Sequence, residues 1–381
     1  MEKFRKDCQL FDGYKPCYYK RENCLGCNHY TPKGKMILLI NLDALGDVLM
    51  TTASLKPIKR EYPQSTIYWV TDRSAVPLLE NNPLIYRVMP FGFESFLILK
   101  SMRFDLVLNA DKSLKSAAFA GEMDSGIKKG FSMNSYGVVI PFDKEAQYNY
   151  EMGLNDALKF KQNRLTGQKI LADTFGLDYK RDEYILELDE SQKRFVNNLK
   201  KRYKIKGNDV VIGFNTGCSP LYPHKKIKKE NIIKIIRRLH KDHPEIKIAL
   251  FGGKNETFIN KTIVSSLKFN VINTPTEEGL KTGMAAMDIA DIIVTADTLG
   301  MHIGIALKKE MVVWYNVSCA AEIDLYGRGE KIISKVDCSP CWKPDCDSLV
   351  CHETIDLEEL YHAIKREIKK VKRDKNPDHP A

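Results

Sequence analysis

The sequence predicts an α/β protein made of two successive βαβ series, each arranged around its own parallel sheet. Three observations carry this expectation. From Lys35 onward, short β-rich apolar runs alternate with helical patterns. The alternation occurs twice, on either side of a long polar stretch. The chain has 381 residues, which at roughly 100–200 residues per domain leaves room for two or three cores.

In the first series, strands are expected at residues 36–42, 66–70, 87–90 and 105–109, with a helix over 48–61. Residues 149–202 are polar and helix-prone, are broken by Gly167 and Gly176, and hold the inter-domain linker near 180–205. The second series has strands at 210–215, 247–251, 271–273, 292–295 and 311–315. An amphipathic helix over 356–370, apolar at Leu357, Leu360, Tyr361, Ile364 and Ile368, follows them. No short-period repeat or low-complexity tract interrupts this order.

With 43% hydrophobic and 28% charged residues, intrinsic disorder is excluded as the general state. No run of about 18 apolar residues occurs, and the first residues lack the apolar stretch of a signal peptide. A soluble cytoplasmic protein is therefore expected. Fifty-nine basic against 49 acidic side chains give a net charge of +10, which favours anionic partners such as phosphates, nucleotides, nucleic acid or a lipid surface.

Two α/β halves place ligands at the carboxyl ends of their strands, where loops meet helix amino termini. The first such loop, Asp43-Ala44-Leu45-Gly46-Asp47, runs into a helix. Asp47 there reads either as a helix cap or as an ionised carboxylate able to take a proton from a hydroxyl. In the second half, Thr216-Gly217-Cys218-Ser219-Pro220 and then Pro223-His224-Lys225-Lys226 read as a diphosphate loop with a point charge, or as a solvated basic face. Asp297 and Thr298 are expected to cap a helix from 303 to 307 whose free N–H groups make another anion site. His302 beside them is either part of that site or a buried hydrogen-bonded side chain. Glu256, at a strand-to-helix turn after Phe251-Gly252-Gly253, is placed to accept hydrogen bonds from ribose hydroxyls.

Eight of the ten cysteines fall into two groups, Cys8, Cys17, Cys24, Cys27 and Cys338, Cys341, Cys346, Cys351. Their spacings are C-x8-C-x6-C-x2-C and C-x2-C-x4-C-x4-C. Four thiolates per group fit a closed tetrahedral Zn site, and Fe would accept them too. Reduced or disulfide-paired cysteines are the competing reading. Cys218 is expected to be a packing residue rather than a nucleophile.

Taken together and in order, these elements resemble glycosyltransferase family 9, the ADP-heptose:lipopolysaccharide heptosyltransferases. The resemblance runs from Leu42-Asp43-Ala44-Leu45-Gly46-Asp47-Val48-Leu49 through Thr51-Thr52, Leu55-Lys56, Tyr62-Pro63 and Asn82-Pro83. It continues in Pro223-His224-Lys225-Lys226, Phe251-Gly252-Gly253 and Asp297-Thr298-Leu299-Gly300-Met301-His302, and covers roughly residues 35–330. It implies the GT-B architecture, two facing Rossmann-like domains. It also implies inverting transfer of a sugar from a nucleotide-diphosphate donor, with no divalent ion at the reacting centre. By that resemblance Asp47 is the base and Lys225 holds the donor diphosphate. Thr216, Asp297, Thr298, Gly300 and His302 then fall on the nucleotide loops, with Glu256 on the ribose.

The implied division is an amino-terminal cysteine segment over 1–33, an acceptor domain over 34–185, a nucleotide-sugar domain over 186–335, and a cysteine segment with a closing helix over 336–381. In that architecture the closing helix commonly returns to the first domain, which would bring the two cysteine groups close together; they are expected to clamp the chain ends without touching the sugar. The implied partners are a nucleotide-sugar donor and a glycan, lipopolysaccharide-core or protein acceptor, with peripheral contact at the inner membrane face. Two other readings compete: a nucleotide-sugar epimerase of the same fold, and a zinc-containing nucleic-acid-binding protein. The second is disfavoured, because neither cysteine group is followed by an aromatic and basic recognition element.

Overall fold

The computed structural model describes residues 3–19 and 22–376. The chain divides into two compact units, Met1–Glu151 with Gln168–Asp182, and Met152–Gly167 with Glu183–Ala381.

The first unit carries a six-stranded sheet. Its strands are β1 (Lys35–Ile40), β2 (Ser65–Thr71), β3 (Arg87–Pro90), β4 (Arg103–Asn109), β5 (Asp124–Met133) and β6 (Val139–Pro141), in the order β3-β2-β1-β4-β5-β6. Neighbours pair in parallel except β5 and β6, which are antiparallel. Ile37, Leu38, Leu39 and Ile40 are fully buried, the continuous apolar run expected of a central parallel strand covered on both faces.

The helix expected over 48–61 is two helices, Leu45–Thr51 and Leu55–Glu61, joined by a 3-10 turn at Thr52–Ser54. Pro57 explains the interruption, since it has no N–H to continue the hydrogen-bond ladder. The helix Gly167–Phe175 ends where Gly176 takes φ of +69°, and the Leu177 N–H closes on the Ala172 carbonyl at 2.8 Å.

The second unit repeats the plan with β7 (Val211–Asn215), β8 (Lys247–Phe251), β9 (Ile272–Asn273), β10 (Ile292–Ala296), β11 (Glu310–Tyr315) and β12 (Gly329–Ile333). Their order is β12-β11-β10-β7-β8-β9, parallel throughout. This confirms an α/β fold with two parallel-sheet, Rossmann-like halves.

The terminal helix Leu357–Lys375 does not return to the first unit. Its apolar stripe, Leu360, Tyr361, Ile364, Ile368 and Val371, is buried in the same core as Ile212, Val294, Val312 and Ile332 of the second sheet. Asp356 caps it by accepting the Glu359 N–H at 2.9 Å, while Lys372, Arg373 and Lys375 lie in its last turn.

The amino-terminal cysteine segment lies on the first unit. Gln9 Nε2 donates to Thr66 Oγ1 at 3.0 Å, and the Tyr86 hydroxyl donates to the Gln9 carbonyl at 2.7 Å.

Candidate functional site

Three loops of the second unit meet at the carboxyl ends of β7, β8 and β10. Asn215, the last residue of β7, ties two of them together. Its Nδ2 lies 3.0 Å from Thr298 Oγ1, 3.0 Å from Thr295 Oγ1 and 3.2 Å from the Gly217 carbonyl. A Cβ on Gly300 would sit 2.6 Å from Asn215 Cγ, so only glycine lets the Thr298 loop approach this anchor. A Cβ on Gly217 would lie 2.7 Å from the Glu256 carboxyl carbon, so that side chain would have to move to admit one.

Lys225 is 8% exposed, and its Nζ lies 2.9 Å from Asp297 Oδ2. Burial pushes the Asp297 carboxyl up, but the Lys225 charge beside it prevails and holds it below its ordinary value. Burial depresses the His302 imidazole to about 4, so it is neutral at pH 7. Its Nδ1 lies 3.3 Å from the Tyr184 hydroxyl, and the two rings stack at 5.9 Å.

The helix expected from 303 to 307 starts earlier, at Leu299, and runs to Ala306. Neither Asp297 nor Thr298 caps it as expected. Asp297 turns to Lys225, Thr298 Oγ1 turns to Asn215, and no side chain caps the helix. Its first N–H groups therefore remain suited to an external anion, next to a buried ammonium.

Two other residues hold the loops. The Thr216 N–H and hydroxyl reach the Phe251 carbonyl at 3.1 and 3.0 Å, and the hydroxyl lies 2.6 Å from Asn260 Oδ1, so Thr216 fixes its loop from inside. Glu256 Oε2 accepts the Gly253 N–H at 2.9 Å and is buried against Gly217. The Cys218 thiol faces the Tyr222 and Pro223 carbonyls at 3.5 and 3.6 Å, and burial raises its pKa, which suits packing rather than nucleophilic attack.

In the first unit, Asp47 is exposed in the first turn of Leu45–Thr51, just after Ala44, whose φ is +43°. A non-glycine residue there stores roughly 1–3 kcal/mol of strain, which the surroundings must hold. Asp111 supplies the hold. Its Oδ2 accepts the Leu42 N–H and, at 3.2 Å, the Asp43 N–H. Sequence reasoning missed Asp111, although it stands just beyond the end of β4, in the position that singled out the other loops.

Burial pushes the Asp111 carboxyl up to about 7, and the charges of Asp43 and Asp47 act in the same direction against its backbone hydrogen bonds. A carboxyl raised above its unfolded value near 4 contributes stability below that pH and loses it as pH rises through about 7. Asp111→Asn keeps an oxygen for both N–H groups and removes the titration. Chemical unfolding of both proteins from pH 4 to 8 should show the parent losing roughly 2–4 kcal/mol more than the variant. Parallel curves would remove Asp111 from this role.

Among the described residues, no group of three or more His, Cys, Asp or Glu side chains is arranged to hold a metal ion, and the cysteines form no disulfide. Burial first, and then proximity to Cys338, Cys341 and Cys346, raises the pKa of Cys351. Trp342, next to Cys341, lies over Lys225, so the carboxyl-terminal cysteine segment reaches the 222–228 loop.

Comparison with known proteins agrees with this fold. The family model for glycosyltransferase family 9 (heptosyltransferase) matches residues 96–351. The chain is similar to lipopolysaccharide heptosyltransferase 1 of Campylobacter coli, with 23% identity over 350 residues, covering 86% of this chain and 98% of that protein. Among solved structures, a glycosyl transferase family 9 protein from Veillonella parvula superimposes with a TM-score of 0.68 at 18% identity, covering 88% of this chain and 97% of that one. The E. coli ADP-heptose lps heptosyltransferase II gives 0.61 at 18% identity, covering 88% and 99%.

Proposed function

The chain belongs to glycosyltransferase family 9, the heptosyltransferases, and from that premise we propose that it moves a heptose from ADP-heptose, with inversion, to a hydroxyl of a lipopolysaccharide-core or related glycan acceptor. One observation carries the donor half of this reading. The buried Lys225–Asp297 pair stands beside an uncapped helix terminus that Asn215 fixes to the Gly217 loop. A diphosphate is the ligand that a buried ammonium and free helix N–H groups suit together. The ADP-heptose named for the E. coli protein supports the choice of donor.

The acceptor oxygen attacks the anomeric carbon as the carbon–oxygen bond to the diphosphate breaks, and that electron pair leaves on ADP. Asp47 takes the acceptor proton, and Lys225 with the helix terminus at Thr298 stabilises the charge growing on the diphosphate. Glu256 and His302 line the nucleoside end, with His302 neutral and able to share a hydrogen bond.

The two cysteine groups are read as ligands of a structural Zn or Fe, outside the chemistry. For Cys338, Cys341, Cys346 and Cys351 the support is a spacing that supplies four thiolates within fourteen residues. For Cys8, Cys17, Cys24 and Cys27 it is spacing alone.

Purified protein given ADP-heptose and lipopolysaccharide-core acceptors should release ADP in step with heptosylated product, followed by mass spectrometry. Isomerised sugar without acceptor would point to an epimerase, and an untouched donor would overturn the reading. The same preparation should carry about one metal equivalent per four-thiol group.

A further inference from the structure

We propose that Trp342 is a positioning residue for the donor site: the carboxyl-terminal cysteine segment holds its indole face over the Lys225 ammonium and thereby sets where that ammonium meets the donor diphosphate. The proposal rests on the reading of Lys225 given above. Lys225 Nζ lies 4.6 Å from the Trp342 ring centroid and 5.7 Å from that of Tyr222. The Tyr222 ring meets the indole edge-on, at 5.0 Å and 80°. Asp297 holds the same ammonium at 2.9 Å, so a carboxylate and an aromatic face fix a flexible four-carbon side chain.

The indole is itself held in place at some cost. Trp342 has φ of +49°, a left-handed conformation that bulky residues rarely adopt. The Cys341 and Trp342 N–H groups both donate to the Val317 carbonyl at 3.0 Å, and Ser339 Oγ donates to the Asn316 carbonyl. Asn316 Nδ2 in turn donates to the His224 carbonyl at 2.8 Å, inside the lysine loop. Farther along the segment, Glu353 pairs with Lys228, and the His352 and His224 rings meet at 5.8 Å. The cysteine segment and the 222–228 loop are thus joined at several points, with Trp342 at the end nearest the ammonium.

Lys159 Nζ also approaches the indole, at 5.2 Å, and lies 3.9 Å from Glu322 Oε1, so each ammonium on this ring has a carboxylate beside it. Trp342 Nε1 is buried and has no hydrogen-bond partner among the described residues.

The test measures ADP binding to the full-length protein by calorimetry, together with kcat and donor KM. Trp342→Leu should weaken ADP about tenfold and raise donor KM by a similar factor. Acceptor KM and the thermal midpoint should stay near the parent. Trp342→Phe, which keeps an aromatic face, should restore affinity to within about threefold. Unchanged or tighter ADP binding by Trp342→Leu would overturn the proposal, the second result marking the indole as a plug. Lys225→Met separates the two readings. If it leaves ADP binding intact, the diphosphate role of Lys225 fails. If it weakens binding while Trp342→Leu does not, only the positioning role fails.

A second measurement does not depend on how the leucine variant folds. Trp69 and Trp314 are buried in the sheets, at 0% and 2% exposure, so Trp342 is the tryptophan placed to report on the donor loops. ADP should change the emission of the parent protein, and the change should vanish in Trp342→Phe. A parent spectrum indifferent to saturating ADP would count against the proposal.

Discussion

Asp47→Asn should lower turnover about 10²- to 10⁴-fold while leaving ADP affinity within about twofold of the parent. The expected split follows from where the groups lie. Asp47 belongs to the first unit, on the helix Leu45–Thr51, whereas Lys225, Asn215, Thr298 and the other nucleotide-loop residues belong to the second. An exposed carboxylate in the first turn of a helix is accessible to an acceptor hydroxyl. The amide keeps the shape of the side chain and cannot take a proton, so a purely structural role would leave turnover largely intact. The measurement is single-turnover product formation beside ADP calorimetry, and parent-like turnover in the variant would remove Asp47 from the reaction. A joint loss of turnover and ADP affinity would instead mean that the substitution disturbs more than its own loop. Asp111→Asn is the useful companion. It touches the same loop through Leu42 and Asp43, so a loss confined to Asp47→Asn belongs to the carboxylate and not to loop geometry.

Much of this arrangement was legible in the sequence, for a physical reason. Strands such as β1 and β11 are buried on both faces, which forces continuous apolar runs that stand out from their surroundings. The loops after β1, β7 and β10 sit at the carboxyl ends of such strands, so their polar residues were the natural candidates. What escaped was structure made by contact rather than by local pattern. β5, with the sequence DSGIKKGFSM, is mostly polar or half-buried and carries no periodic signal. Asp297 and Thr298 look like caps by position, yet a buried lysine and an asparagine, 72 and 83 residues away, claim their side chains. The closing helix has an amphipathic pattern that fits any apolar surface, and only packing assigns it to the second sheet. Trp342 was silent for the same reason, since nothing in Cys341-Trp342-Lys343 signals that the ring lies over Lys225.

Lys225→Met should lose about 100-fold or more in kcat/KM, with ADP bound more weakly as well, because the ammonium both holds the diphosphate and stabilises the charge it gains as the bond breaks. Asp297 loses its partner in the same variant. In the structure Lys225 and Asp297 form a nearly buried pair, with side chains 10% and 12% exposed. Removing one partner leaves a carboxylate without compensation, a loss of about 3–5 kcal/mol in comparable buried pairs. Part of the damage in the single variant is therefore local destabilisation of the Asp297–Thr298 loop rather than lost chemistry. The double variant Lys225→Met with Asp297→Asn separates the two, since it removes both charges and retains the shape. Its thermal midpoint should recover most of what the single variant loses, while kcat/KM should stay at least about 100-fold below the parent. Recovery of rate together with stability would show that Lys225 serves only to neutralise Asp297, and the diphosphate would then have to be held by the helix terminus at Thr298 and the Gly217 loop alone. If rate stays low while stability returns, the ammonium belongs to the leaving group. That outcome also makes the Trp342 face above it a constraint on how the donor is held.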